Sequence, residues 1–165
     1  MIGEKKMIDQ NGFRENVGIV LVNSKKDVFW GRRAGTSFWQ MPQGGIEKGE
    51  TPKDAMLREL NEEVGLQPKH IQVIHRTSDW LHYRLPDSRV RTANGKKFIG
   101  QKQIWYLLKL VKSEAFIDIN FFSEPEFDKW RWISFWEPLK LVAQFKKTVY
   151  ENALNTFYPF LEKEF

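Results

Sequence analysis

The run from Ile104 to Val111 restricts the fold more than any other segment of the chain. Its residues are Ile, Trp, Tyr, Leu, Leu, Lys, Leu and Val, so it is apolar at all but one position. A strand with one solvated face alternates between apolar and polar residues, whereas a continuous apolar run is typical of a strand buried on both faces. The sequence therefore predicts a sheet that is covered on both sides by further layers.

Other segments supply the rest of this architecture. Five short runs of apolar and aromatic residues bounded by turn residues are predicted strands: Val17–Val22, Val28–Trp30, Phe38–Met41, Ile71–Ile74 and Trp130–Ile133. One helix is predicted over Pro52–Val64, and a second, long helix from about Pro138. The second rests on apolar residues near helical spacing: Leu139, Val142, Phe145, Val149, Ala153 and Phe157. We expect an α/β or α+β domain with helices layered on a sheet.

Length and composition bound the class of protein. The 165 residues contain no repeat or linker, so we expect one domain over 1–165. The chain has no cysteine, which excludes disulfides, thiolate zinc sites and cysteine nucleophiles. The sequence has no apolar stretch near the roughly 18 residues of a membrane span and no secretion signal at Met1–Lys6, so we expect a cytoplasmic protein with no membrane contact.

Positive charge is concentrated in the middle of the chain. The protein carries a net charge of +5 and has a pI of about 9.4. Between Gln67 and Lys112 there are ten lysines and arginines and only two acids, so this segment carries +8 and the remainder −3. Such a segment favours a polyanionic partner, although a solvated basic loop has the same composition.

The predicted helix over Pro52–Val64 carries the residues with the clearest chemistry. Thr51 and Pro52 are typical of a helix start, and Gly65 of a left-handed helix end. An apolar stripe should face the sheet: Met56, Leu57, Leu60 and Val64.

Three carboxylates share another face of this helix. Glu59, Glu62 and Glu63 stand at positions i, i+3 and i+4. Like charges at this spacing repel, but a hard divalent cation such as Mg²⁺ prefers carboxylate oxygens and turns the repulsion into binding. Three glutamates taken alone are more typical of a solvated acidic face than of a metal site.

The surrounding sequence resembles the Nudix box of the Nudix hydrolase family. Nine specified positions at background frequencies make a chance match on the order of 10⁻⁷ per chain. The box is matched at each of them: Gly44, five residues, Glu50, seven residues, Arg58-Glu59-Leu60, one residue, Glu62-Glu63, one residue, Gly65-Leu66. The resemblance implies an α/β/α sandwich around a mixed β-sheet and hydrolysis of nucleoside diphosphates linked to another moiety.

The resemblance also implies roles for residues of the box. Glu59, Glu62 and Glu63 would hold a divalent cation, Mg²⁺ or alternatively Mn²⁺. Glu59 would also orient or deprotonate the attacking water, and Arg58 would hold the carboxylates in place.

The glycines and Glu50 would have supporting roles. Gly44 and Gly45 would let the backbone turn tightly beside the metal. Glu50 would support the loop and the helix start without binding the metal, and Gly65 would end the helix.

Residues outside the box resemble the bacterial RNA 5′-pyrophosphohydrolases, a group close to the dinucleoside polyphosphate hydrolases. The matching stretches are Gly12-Phe13-Arg14, Asn16-Val17-Gly18-Ile19, Arg32-Arg33, Trp39-Gln40-Met41-Pro42-Gln43-Gly44-Gly45, Gly100-Gln101-Lys102-Gln103, Pro125-Glu126-Phe127-Asp128 and Trp130-Arg131-Trp132. They run through most of the chain, from about Met7 to Tyr150.

This second resemblance implies further site residues. Glu126 would be another metal ligand, from a loop opposite the helix. The substrate's 5′ phosphates would contact Arg33, Gln101, Lys102 and Lys146. Arg14 and Phe145 would sandwich the first base, although Phe145 taken alone reads as a core residue of the last helix.

Other parts of the chain carry weaker expectations. The basic stretch from Arg84 to Lys97 is a candidate track for the RNA backbone, with a turn at Asn94-Gly95. Glu15 and Phe38 depart from the pattern of the group beside proposed site residues. Met1–Lys6 have no counterpart in that pattern, so they read as an N-terminal extension, or Met7 as the natural start.

These observations favour one function and leave two rivals. We expect a Mg²⁺-dependent hydrolase that removes pyrophosphate from the 5′ end of triphosphorylated or diphosphorylated RNA, leaving a 5′-monophosphate that promotes RNA decay. One rival is hydrolysis of small dinucleoside polyphosphates such as diadenosine tetraphosphate. The other is a catalytically silent binder of RNA ends, which would gain nothing from three mutually repelling glutamates. A monomer is the default oligomeric state.

Overall fold

A computed structural model describes residues 7–93 and 95–165 of the chain. The expected extension at Met1–Lys6 and Asn94 of the expected turn lie outside these residues. The described part contains three α-helices, α1 (Pro52–Val64), α2 (Pro138–Leu141) and α3 (Lys147–Glu164). Its strands are β1 (Phe13–Val22), β2 (Asp27–Arg33), β3 (Trp39–Gln40), β4 (Gln43–Gly45), β5 (Ile71–Arg76), β6 (Leu81–Arg84), β7 (Arg91–Ala93), β8 (Lys96–Phe98), β9 (Gly100–Leu110) and β10 (Phe127–Ser134).

One mixed sheet organises the molecule. Its main path runs β10-β2-β1-β9-β5, while β3 pairs with β2, β4 with β1, and β6 with β9. The central strands β1 and β9 are parallel, from Phe13 opposite Gly100 to Val22 opposite Lys109, and the other pairs in the sheet are antiparallel. Strands β7 and β8 form a separate antiparallel pair.

The apolar run that predicted a doubly covered strand forms most of β9, in the middle of the sheet. Tyr106 and Leu108 belong to the core cluster that contains α1, and Trp105 and Leu107 to the cluster that contains α3. Burial of such side chains stabilises by roughly 1.5–3 kcal/mol each, so β9 contributes to both cores at once. The two covered faces confirm the layered architecture.

Helix α1 has the predicted boundaries. The Thr51 hydroxyl accepts a hydrogen bond from the Asp54 amide at 3.1 Å, and Gly65 ends the helix with φ +76°. Met56, Leu60 and Val64 are fully buried against the sheet, and Leu57 is partly buried beside them.

The prediction of one long C-terminal helix is wrong. Helix α2 lasts one turn, Val142 and Ala143 adopt extended backbone, Gln144–Lys146 form a 3₁₀ turn, and only then does α3 begin. The apolar spacing persists across this break because Leu139, Val142 and Phe145 all pack on the α3 side of the core. Their periodicity therefore reports burial against a common core and not a continuous helix.

Among the described residues, no helix is both long enough and apolar enough to cross a membrane.

Candidate active site

A cavity of about 980 Å³ gathers most of the predicted site residues. It is lined by residues of α1 and of strands β1, β2, β3, β4, β6, β7, β8 and β9, together with residues of the segments that connect these elements. Twelve of the fifteen predicted residues lie in its lining: Arg14, Arg33, Gly44, Gly45, Arg58, Glu59, Glu62, Glu63, Gln101, Glu126, Phe145 and Lys146. Residues up to 132 positions apart in the sequence therefore line the same cavity.

The acidic wall of this cavity consists of the loop Gly44–Glu50 and the glutamate face of α1. Glu59 and Glu63 are buried, and Glu62 is partly exposed. Burial raises the pKa of both Glu59 and Glu63. In Glu63 the charges of Glu59 and Glu126 raise the pKa further, and its carboxyl group hydrogen-bonds to Glu59. Burial and neighbouring carboxylates therefore both oppose the ionisation of these two glutamates.

Arg58 connects the members of the acidic wall. Its guanidinium donates two hydrogen bonds to the Glu50 carboxylate, at 2.8 and 2.9 Å, and one to Glu59 Oε1 at 2.7 Å. It also donates to the Gly45 carbonyl at 2.8 Å. These bonds raise the pKa of Arg58 and lower that of Glu50, so both groups stay ionised. Arg58 thus fixes the position of Glu59 relative to the loop.

The glycine pair leaves room for charged side chains. A Cβ on Gly44 would overlap the carboxylate of Glu59, and a Cβ on Gly45 would overlap the guanidinium of Arg14. Neither glycine has a positive φ, so the requirement for glycine here is one of space. The sequence resemblance pointed to a tight turn beside the metal, whereas the structure shows a close approach by side chains.

The acidic wall fits a divalent cation. Its donors are carboxylate oxygens, two of the carboxyl groups are buried beside each other, and the absent Cβ of Gly44 leaves room for the Glu59 carboxylate. Within 7–93 and 95–165, no three acidic or histidine side chains converge closely enough to hold a metal without rearrangement. The guanidinium of Arg58 lies 2.7 Å from Glu59 and 3.4 Å from Glu62.

A second wall, which we call the basic-aromatic wall, contains Arg33, Tyr83, Arg89, Phe145 and Lys146. Lys146 is buried and donates a hydrogen bond to Gln40 Oε1 at 3.0 Å. Burial, together with the charges of Arg33 and Arg89, lowers the pKa of Lys146 to about 8. This lysine therefore titrates near neutral pH, at the position where the chain leaves its 3₁₀ turn and enters α3.

Phe145 lies among aromatic and cationic neighbours. Its ring is 5.7 Å from the Tyr83 ring, and the Arg89 guanidinium lies 5.5 Å from its centroid. Arg89 also lies 5.7 Å from the ring of Phe38, the residue that departs from the group pattern. Phe145 is thus half-buried and lines the cavity. As part of one continuous helix it was expected to be a core residue.

Glu126 and Arg33 meet across the mouth of the cavity. Arg33 Nε is 3.6 Å from Glu126 Oε1, and both side chains are 44% exposed. The Glu126 carbonyl accepts a hydrogen bond from the Ala34 amide at 2.8 Å, which joins the start of β10 to the end of β2. A predicted phosphate contact and a predicted metal ligand are therefore neighbours.

Lys102 lies outside this cavity, although the resemblance implied a phosphate contact. It lies next to Gln101 on β9, so its side chain is on the opposite face of the sheet. Its ammonium group is 3.0 Å from Asp9 Oδ2 and 3.8 Å from Glu15 Oε2. The unusual Glu15 therefore faces Lys102, and the structure does not bring either residue to the site.

Glu50 and Gly65 also lie outside the lining and act through contacts at its edge. Glu50 receives the two hydrogen bonds from Arg58. A Cβ on Gly65 would meet the backbone of Asp118, whose amide donates to the Val64 carbonyl at 2.8 Å.

A buried polar network beneath the cavity was not predicted from the sequence. Gln103 donates to Asn16 Oδ1 at 2.8 Å and accepts from the Trp105 indole at 3.0 Å. It also lies 3.4 Å from Gln43 Oε1, and the Gln43 amide donates to Glu63 at 3.3 Å. The sequence feature that could have indicated this network is Gln103, a polar residue within the largely apolar strand β9, because buried polar side chains are normally hydrogen-bonded. Tyr83 was also missed, because β6 is short and gave no clear strand pattern.

Comparison with known proteins identifies the family. A sequence profile of the NUDIX domain matches residues 12–153. The chain belongs to the Nudix family. Membership confirms a hydrolase that acts on phosphoanhydride bonds, and Nudix proteins generally need divalent ions such as Mg²⁺ or Mn²⁺.

One curated relative is similar to this chain over almost its whole length. A protein of Shewanella sediminis (strain HAW-EB3) named RNA pyrophosphohydrolase is 50% identical over 153 residues. The match covers 93% of this chain and 89% of that protein.

Solved Nudix structures show the fold. The M. smegmatis Nudix hydrolase RenU superposes with a TM-score of 0.65 at 16% identity, covering 96% of this chain and 97% of that one. A C. elegans Ap4A hydrolase gives 0.62 at 18% identity, covering 90% and 98%. The predicted Nudix sandwich around a mixed sheet is confirmed.

Proposed function

We propose that this Nudix hydrolase is an RNA pyrophosphohydrolase. The observation that carries the proposal is the juxtaposition of the acidic wall and the basic-aromatic wall in one cavity. The 50% identical Shewanella sediminis protein bears that name. One water adds to a phosphorus atom of the 5′ triphosphate, one phosphoanhydride bond breaks, and RNA with a 5′-monophosphate leaves together with pyrophosphate; alternatively, two successive hydrolyses consume two waters and release two phosphates. The proposal includes a cytoplasmic location, where the monophosphate end promotes decay of the RNA.

The proposed metal is Mg²⁺, which Glu59, Glu62, Glu63 and Glu126 would hold. When bound, it would supply positive charge that offsets the charge of the phosphate oxygens and makes the attacking water more acidic. The remaining work belongs to side chains of the chain itself. Glu59 accepts the proton of the attacking water, and Arg58 keeps the Glu59 carboxylate in the orientation that this transfer needs.

The basic-aromatic wall binds and orients the substrate in this proposal. Arg33 and Lys146 hold phosphate oxygens by charge-assisted hydrogen bonds, and the Gln101 amide lines the same space. In this proposal the side-chain nitrogen of Gln101 donates a hydrogen bond to a phosphate oxygen. Arg14 and Phe145 hold the first base between a guanidinium plane and an aromatic ring.

The decisive experiment compares hydrolysis of a short 5′-triphosphorylated RNA with that of diadenosine tetraphosphate, at equal concentrations in Mg²⁺. We expect RNA to be cleaved much faster, and Glu59→Gln to abolish cleavage of both. Faster cleavage of the dinucleotide would instead make this a small-molecule Nudix hydrolase. Unchanged turnover in Glu59→Gln would contradict the proposed role of the acidic wall.

A substitution in the basic-aromatic wall separates the two substrates further. We expect Phe145→Ala to lower kcat/KM for the RNA and to leave the value for diadenosine tetraphosphate unchanged. An equal loss on both substrates would contradict the proposed stacking on RNA.

A further inference from the structure

Two adjacent phenylalanines lie exposed at the edge of the cavity. Phe121 and Phe122 are 50% and 41% exposed, and their rings stack on each other with centroids 5.4 Å apart and planes 30° apart. We call this pair the aromatic rim. Phe122 belongs to the lining of the large cavity, together with Ser123 and Glu124. None of the site roles described above uses either ring.

The segment that carries the aromatic rim is fixed to the body of the protein on both sides. Ile117 and Ile119 precede it and are buried in the core beneath α1, while Phe127 follows it and is fully buried. The Asp118 amide donates to the Val64 carbonyl at 2.8 Å, and the Asp118 side chain accepts from the Asn120 amide at 2.9 Å. The exposed rings are therefore held in place at little further cost in conformational entropy on binding.

The aromatic rim lies close to the proposed reaction centre. Glu126 is four residues beyond Phe122 and lines the same cavity, and four residues of extended chain span at most about 14 Å. Stacked nucleotides rise about 3.4 Å each, so the rim lies no farther from Glu126 than about four stacked nucleotides reach. The first base is assigned to Arg14 and Phe145, which leaves the rim within reach of a nucleotide shortly after it.

We propose that the aromatic rim of Phe121 and Phe122 stacks on the base of the third or fourth nucleotide of an RNA whose 5′ phosphates occupy the cavity. The inference deepens the proposed function and rests on it. Any base presents a π-face to an aromatic ring, so the contact is tolerant of sequence. It favours single-stranded 5′ ends, because a base within a duplex is already stacked on both faces.

The charges of the cavity favour a nucleic acid over an apolar protein segment as the occupant. Arg14, Arg33, Arg89 and Arg91 all line the space that Phe122 borders. A phosphodiester chain that leaves the reaction centre would pass these guanidinium groups while its bases face the rim. Glu124 lies on the same edge as the rim, and its carboxylate would repel a phosphate. The RNA backbone should therefore follow the arginine side of the cavity.

The test uses substrate length. Values of kcat/KM are measured on a 5′-triphosphorylated dinucleotide and a single-stranded hexanucleotide, for the wild type and a variant carrying Phe121→Ala and Phe122→Ala. The matched control is Phe116→Ala, because Phe116 is equally exposed on the same loop but stacks on His70 and does not line the cavity.

We expect the double variant to lose about 10-fold on the hexanucleotide, within the range that base–aromatic stacking contributes, and to match the wild type on the dinucleotide. The control should match the wild type on both. Removing the base at position three or four of the hexanucleotide should lower the wild-type value by a similar factor and leave the double variant unaffected.

Equal values for wild type and double variant on the hexanucleotide would overturn the inference and leave the rim as a surface for a protein partner. An equal loss on both lengths would also overturn it, because the rim would then act on the reaction centre itself. Failure of the proposed function looks different: the wild type would cleave diadenosine tetraphosphate and neither RNA.

Discussion

The two walls of the cavity are built in opposite ways. The acidic wall comes from one continuous stretch of chain, and its key side chains are buried or tied together by Arg58. The basic-aromatic wall is collected from β2, β6, the loop before β7 and the turn before α3, and includes exposed side chains such as Arg33 and Arg89. The comparison teaches that the proposed catalytic residues, Glu126 excepted, come from one local stretch of chain, whereas the proposed substrate-binding residues are brought together only by the tertiary structure.

The strongest test of the comparison is Glu63→Gln in the acidic wall. We expect kcat to fall at least 100-fold on RNA and on diadenosine tetraphosphate alike, because the wall acts on the phosphoanhydride that both contain. In EDTA the same variant should melt at an equal or higher temperature than the wild type, since it lacks a carboxyl group whose ionisation is opposed by burial and by the charges of Glu59 and Glu126. Thermal unfolding with and without Mg²⁺, together with steady-state kinetics, measures both effects.

Glu124→Gln is the control for this experiment, because Glu124 lines the same cavity but is exposed and lies outside the proposed metal set. If Glu63→Gln lowered kcat on only one of the two substrates, the result would contradict the assignment of catalysis to the acidic wall and of substrate choice to the basic-aromatic wall.

A smaller effect is expected from pH on the basic-aromatic wall. Lys146 has a pKa of about 8, lowered by burial and by Arg33 and Arg89, and opposed by Glu126 and Glu63. Its ammonium group is charged below this pH and can hold phosphate, and it loses the charge as pH rises. We expect kcat/KM on RNA to fall about 10-fold between pH 7 and pH 9, mainly through KM.

Lys146→Arg should remove this fall, because a guanidinium remains charged throughout the range. The neighbouring exposed Lys147 provides the matched control, and Lys147→Arg should keep the wild-type pH profile. A fall of the same size in Lys146→Arg would assign the titration to another group.

The smallest predicted effect concerns stability of the acidic wall. Hydrogen bonds from Arg58 lower the pKa of Glu50, so this carboxylate stabilises the fold above its ordinary pKa near 4.5, and the stabilisation is lost as pH falls through the lowered value. We expect Glu50→Gln to reduce the melting temperature by about 2–5 °C at pH 7 and to have no effect near pH 2.

Glu47→Gln sharpens the interpretation. Its carboxylate lies 3.7 Å from Arg58 Nε and is more exposed, so its effect should be smaller. Equal shifts for the two variants would show that the bidentate geometry at Glu50 has no special importance.

The same division between the walls explains what the sequence could predict. The boundaries of α1, its caps and its buried stripe follow from local rules, and the structure has each of them where they were predicted. The long C-terminal helix was wrong, because apolar residues on either side of the Val142–Ala143 break pack on one core. The position of Lys102 was also predicted wrongly. Strand alternation puts Lys102 and Gln101 on opposite faces of the sheet, but it does not say which face borders the cavity. The contact between Lys102 and Asp9 shows that Lys102 is the one that faces away.

The parallel pairing of β1 with β9 has a consequence for synthesis of the chain. The side chains of Asn16 and Gln103 in this pairing are 87 positions apart, whereas the loop and α1 that form the acidic wall both precede residue 66. At a ribosomal rate of roughly 5–20 residues per second, β1 waits about 4–20 seconds for β9 to emerge. During that interval the edge of β1 that later pairs with β9 is unpaired along its apolar half, Val17–Val22, so we expect the growing chain to be most prone to aggregation before β9 is made.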